Sequence, residues 1–148
     1  MAFTGGLAGF YSLRPELVMA AGLTERIRRL SIGTSAMAVL TWLTVIVGTW
    51  VVYPWYREDI PDSPRSKLLA NPDTKDWHEF AMEWKEHVAW IAPMLAIGAA
   101  FLVLYYRADL IRNPLARRIA MGLFVLAFLC AVVAGLLGAL ITKKAPVT

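Results

Sequence analysis

Both histidines of this 148-residue chain, His78 and His87, fall in the stretch from Trp77 to Trp90, together with Glu79, Met82, Glu83, Trp84, Lys85 and Glu86. Imidazole, thioether and carboxylate are the side chains here that can hold a metal or move a proton. On a helix, Glu79, Glu83 and His87 follow at steps of four, and Trp90 and Met94 continue that face. His87 in this setting reads as an axial ligand of haem b, its ring oriented by Glu83 and flanked by Trp90. Met37, Thr41, Thr44 and Gly48 form a stripe on another helix that leaves room for a flat macrocycle. His78 and Met82, four apart on a different face, read as part of a soft copper site. Glu79, Glu83 and His87 read as part of a carboxylate-rich iron site.

Each of these ligand sets is incomplete. Nine residues of regular helix turn His78 and His87 roughly 180° apart and about 13.5 Å along the axis, so one helix cannot offer both to one haem. The second ligand has to come from another helix or another subunit. The competing reading is plain: His87 pairs with Glu83 at a membrane surface, and the Thr/Gly stripe is ordinary helix packing. Nothing resembles a nucleotide loop, a zincin helix or a nucleophile elbow, so hydrolytic or covalent catalysis is poorly supplied. No catalytic residue is assigned. Cys130, the lone cysteine, lies among Leu, Ala and Val and reads as a small buried hydrophobe.

The elements that position these residues follow from composition. Apolar residues make up 58% of the chain, more than a soluble domain of this size usually carries. Three runs hold no charge: 30–56, 88–106 and 119–142. Each is near or above the ~20 residues that a helix needs to cross a bilayer. The fold expected is all-α, an integral membrane protein with three transmembrane helices. Its segments are a cytoplasmic arm and interfacial helix over 1–29, a first span over 30–56, and an extracytoplasmic loop with an amphipathic helix over 57–86. A second span over 87–106, a cytoplasmic loop over 107–118, a third span over 119–142 and a tail over 143–148 complete the chain. With Arg14 and Pro15 early in the chain, no removable signal peptide is expected.

Finer signals divide these segments. Residues 1–11 are rich in Gly and read as a flexible or partner-bound arm, with Ser12 capping a short helix that Pro15 and Glu16 begin. Pro54 ends or kinks the first span, and Pro93 kinks the second. The loop after Tyr56 carries one short helical turn. Asn71 caps a helix with Pro72 in its first turn, and that helix runs without a break into the second span. Ala127, Ala131, Ala134, Gly135 and Gly138 permit close packing of the last helix.

Charge sets the orientation. Arg26, Arg28 and Arg29 precede the first span, and Arg107, Arg112, Arg117 and Arg118 stand between the second and third against a single acid, Asp109. Both basic sets fall on one side in a three-span topology, which is the cytoplasmic side. The amino terminus is then cytoplasmic, with the 57–86 loop and the carboxy terminus outside an inner or plasma membrane. The net charge of +4 is accounted for by topology and anionic lipid, so a nucleic-acid partner is not expected. The three uncharged runs hold no Asp, Glu, His, Lys or Arg, and no repeated half, which disfavours a pump or transporter. Glu83 and Glu86 at the outer interface are the places where a proton path would begin.

Five of the six tryptophans lie on the outer side. A membrane belt needs fewer, and Trp55, Trp77 and Trp84 read as a docking surface. The reading is a small accessory subunit of a larger membrane complex, of respiratory or other electron-transfer type, with lipid and other membrane subunits as partners. The alternative is a haem b- or quinone-binding membrane cytochrome acting as a homo-oligomer, with His87 as axial ligand.

Overall fold

The computed structural model of the chain describes residues 2–13 and 22–144. Among them all regular structure is helical. Helix α1 covers Ala2–Ser12; α2 covers Leu23–Val47 and continues through a π-helical turn, Gly48–Val52, into α3, Tyr53–Tyr56. Two short helices follow, α4 at Pro64–Leu69 and α5 at Pro72–Asp76. A second π-helical segment, Trp77–Met82, joins α5 to α6, Glu83–Tyr106, and α7 spans Pro114–Lys144. Three continuous helices are long and apolar enough to cross a membrane: Leu23–Tyr56, Pro72–Leu110 and Pro114–Lys144.

The second of these has 39 residues, or roughly 58 Å at 1.5 Å per residue, about twice the ~30 Å of bilayer hydrocarbon. Its uncharged part starts at Val88, so in a bilayer the charged stretch from Pro72 to Glu86 would be the overhang. The start of this helix is set by local chemistry. Asn71 is extended (φ −117°, ψ 122°) and its Oδ1 accepts the Asp73 N–H at 3.0 Å, with Pro72 in the first turn. Ser63 does the same for α4, accepting the Ser66 N–H at 3.1 Å ahead of Pro64. Both caps satisfy amide groups that a helix start leaves unpaired.

The two prolines expected to end or kink these helices both lie within them. The first long helix does not end at Pro54; it widens into the π-turn just before it, where Tyr53 N–H bonds the Gly48 carbonyl, and ends at Tyr56. Widening the turn relieves the clash between a proline ring and the carbonyl four residues back. Pro93 is buried inside α6, which continues through it to Tyr106. That helix ends at Arg107, whose φ of 42° is left-handed and stops the α-helical ladder.

The chain divides into two compact units, and each long helix contributes residues to both. One comprises Met1–Thr41 with Ala92–Leu129, the other Trp42–Ile91 with Cys130–Thr148. In the first, Phe10, Leu13, Leu30, Val103, Leu110 and Phe124 form a buried core. A second cluster is made of Ala38, Ala96, Ala100 and Ala127. The alanines let backbones approach closely. Of the small residues expected to serve this purpose on the last helix, Ala127 is buried, while Ala131 and Ala134 are half-buried and Gly135 is exposed. Ala116 and Ala120 carry much of the seam instead.

The glycine-rich start of the chain is not an arm. Residues 2–12 are helical, and three contacts lay α1 lengthwise along its neighbours. Gly6 faces the Phe124 ring, Gly9 faces Leu30, and the Leu13 carbonyl accepts a hydrogen bond from Arg117 at 2.9 Å. Burial of Phe10 and Leu13 outweighs the poor helix propensity of three glycines. Ser12 closes α1, donating to the Gly9 carbonyl at 2.8 Å. The expected cap pair Pro15 and Glu16 lies outside the described residues.

The second unit has its own core of Tyr56, Leu68, Ala81, Met82 and Ile141, with Tyr53, Trp77 and Leu137 against it. Outside these cores the long helices expose large apolar side chains, among them Ile32, Val39, Leu43, Ile97, Phe101, Leu126 and Leu136. So much exposed hydrocarbon exceeds what a monomer in water presents and is compatible with lipid bilayer contact.

Candidate functional site

The chemistry-bearing residues 77–90 all belong to the second unit. His78 lies in the π-helical segment and is half-buried. Its Nδ1 shares a hydrogen bond of 2.8 Å with the Tyr56 hydroxyl, and the two rings sit 5.8 Å apart. Burial, reinforced by the positive charges of Arg65 and Arg57, holds its pKa below the ordinary 6.5. Met82, its expected partner in a soft metal site, is buried among Tyr56, Leu68, Ala81 and Ile141. Its thioether is engaged in packing, and the π-turn between them replaces the regular four-residue register on which that pairing relies.

The same π-segment changes the relation of the two histidines. Six of the residues from His78 to His87 depart from, or border on, the uniform step of an α-helix, so the half-turn separation expected from regular geometry does not carry over. Their surroundings separate them instead. His87 is exposed, on α6. Its Nδ1 lies 2.8 Å from the main-chain carbonyl oxygen of Glu83. A carbonyl only accepts, so Nδ1 carries a proton, and the tautomer that fits this contact has its lone pair on Nε2. The Glu83 carboxylate, expected to orient the ring, does not do so; the Glu83 backbone does.

The remaining acids are dispersed. Glu79 pairs with Lys75 at 3.2 Å, one turn back on the same helix. Glu83 is exposed, whereas Glu86 is half-buried beside Tyr53, with Oε1 buried and lacking a hydrogen-bond partner among the described residues. Among the described residues no three of His, Cys, Asp and Glu gather into a group that could hold a metal ion. Of the stripe proposed to seat a macrocycle, Thr41 bonds back to the Met37 carbonyl at 2.7 Å, and Gly48 opens the π-turn.

The aromatic residues are arranged more tellingly. Phe80 and Trp84, one turn apart, have ring centroids 5.8 Å apart and are 63% and 54% exposed. Trp90 contacts Trp42 at 5.9 Å and Trp50 at 6.5 Å, both edge-on, and Trp50 is 64% exposed. Trp55 is exposed as well. Trp77 differs. It packs on the second unit's core, with the Lys144 ammonium 6.0 Å from its ring centre, so it serves the chain itself. Phe80 is the residue missed in the sequence; its signal is the four-residue step to Trp84 on a helix with charged neighbours.

Compared with known proteins, the chain matches no family model, no curated protein and no solved structure.

Proposed function

We propose that this chain is an accessory subunit of a larger membrane complex, with its amino-terminal side cytoplasmic and residues 57–86 outside. It docks its partner through an aromatic face at the start of the second long helix. The observation that carries this reading is the exposure of Phe80 and Trp84 on a charged helical overhang. Large rigid rings cost little side-chain entropy to immobilise, and such residues are enriched where proteins meet. A headgroup belt explains rings at one level of the membrane; it does not explain rings flanked by Glu79, Glu83 and Lys75. A photo-crosslinking residue placed at Phe80 in native membranes tests the proposal. Discrete crosslinks to other polypeptides are expected, and lipid adducts alone would refute it.

A second reading rests on His87. An imidazole whose Nδ1–H is anchored to a backbone carbonyl presents Nε2 in the tautomer that ligates iron. In this reading the protein is a membrane cytochrome, with haem b held between copies and each giving one His87. Aromatic side chains beside the site, Trp90 above all, suit a haem or a quinone head. Reduced-minus-oxidised spectra of the purified protein and of His87→Ala separate the two readings. A haem band that vanishes in the variant supports the cytochrome, and a colourless protein leaves the docking subunit.

A further inference from the structure

The rings of Phe80 and Trp84 stand in a stretch of one dominant charge. From Asp73 to Trp84 there are four acids, Asp73, Asp76, Glu79 and Glu83, against one base, Lys75. All five side chains are exposed. Lys75 pairs with Glu79 at 3.2 Å, while Asp73, Asp76 and Glu83 form no ion pair among the described residues. We propose that this face takes an arginine-bearing segment of the partner polypeptide, with a guanidinium stacked on the two rings and paired with the carboxylates beside them. The assignment rests on the docking face proposed above and names the chemistry of what docks there.

Three observations point to that occupant. First, the charge is complementary to a basic segment and repels an acidic one. Asp76, Glu79 and Glu83 each lie within one helical turn of a ring, so a partner covering the rings also meets carboxylates. Second, the rings suit a cation. Phe80 and Trp84 have centroids 5.8 Å apart at a tilt of 44° and lie largely in the open, which leaves ring surface for a positive group to lie over. Third, other rings of this unit already hold cations. The Arg57 guanidinium lies 4.6 Å from the centre of the Tyr53 ring, and the Lys144 ammonium 6.0 Å from that of Trp77. Among the described residues no cation lies over Phe80 or Trp84.

Arginine fits better than lysine because its planar head stacks on an aromatic face while its fork bonds a carboxylate at the edge. A choline headgroup also fits a ring, but it brings a phosphate that the acids oppose. The exposed Lys75–Glu79 pair is worth little by itself, so Glu79 can exchange its lysine for the incoming guanidinium.

A benzoylphenylalanine at position 80 keeps a ring there and, in native membranes, allows the crosslinked segment to be sequenced by mass spectrometry. That segment is expected to belong to another polypeptide and to carry arginine within one helical turn of the linked residue. Normalised to the amount of chain in the membrane, the yield should fall about three- to tenfold in Asp76→Asn with Glu83→Gln, the scale of two exposed charge contacts. Raising salt should lower the yield in the parent and change it little in that variant. Trp84→Leu should lower it as well, and Trp84→Phe should keep most of it. Polypeptide crosslinks to segments without arginine, or a yield unmoved in the double variant, overturn this inference and leave the docking face standing. Crosslinks only to a second copy of this chain overturn it too. Lipid adducts alone refute the docking face and this inference together.

Discussion

His78 shows what a single half-buried titratable group contributes. The neutral ring suits its half-buried place against Tyr56, so the folded pKa lies below the ordinary 6.5. Between those two values the unfolded chain binds more protons than the folded one. The stabilisation is therefore fully present above pH 6.5 and is lost as the pH falls through that value towards the folded pKa. Melting in detergent from about pH 8 to about pH 5 checks this. The wild-type midpoint should drop more steeply in the lower part of that range than the midpoint of His78→Gln. Equal slopes would mean that the ring is solvated. At this scale the sequence was informative about residue type and face, since the spacing of Glu83, His87 and Trp90 already set His87 on one helical stripe. It held no sign that the Glu83 carbonyl, and not its carboxylate, takes the Nδ1 proton. Which acceptor wins depends on a side-chain rotamer.

Among the elements, hydropathy and capping chemistry were legible because they are local. Asn71-Pro72 marks the start of a helix by its own geometry, and three uncharged runs mark three long helices. The π-turns at Gly48–Val52 and Trp77–Met82 were not legible, because a widened turn has the same composition as a regular one. The helix at Ala2–Ser12 was misjudged for a different reason: its stability comes from distant partners, Phe124 and Leu30, that no local pattern names. This gives a paired prediction. Gly6→Ala pushes a methyl into the Phe124 ring and should cost about 1–3 kcal/mol by overpacking. Gly5→Ala meets nothing within 4 Å and should stabilise α1 by roughly 0.5–1 kcal/mol through helix propensity. Thermal or denaturant unfolding of both variants in one detergent reads the difference. Destabilisation by both, or by neither, would remove α1 from its place beside α7.

For the whole molecule, the distribution of charge carries the proposed topology. Two arginine-rich segments, one in the first turns of α2 and one running from Arg107 into the first turns of α7, are separated by a loop and helix start with eight acids against five bases. A chain crossing the bilayer three times places both arginine sets on one side and the acidic segment on the other. Four positions test this arrangement with one reagent. On a Cys130→Ala background, which removes the only thiol, Asp59→Cys and Asp73→Cys probe the acidic segment, and Asp109→Cys and Arg112→Cys probe the basic loop. All four native side chains are exposed, so the reagent meets no steric barrier from the chain itself. A membrane-impermeant maleimide on intact cells should label the first pair and leave the second untouched until the membrane is opened by detergent. Labelling of the second pair alone would invert the protein and place the aromatic face of Phe80 and Trp84 in the cytoplasm. Labelling of all four before detergent would deny that the helices separate two compartments, and with it the bilayer as the solvent for the exposed side chains of α2, α6 and α7.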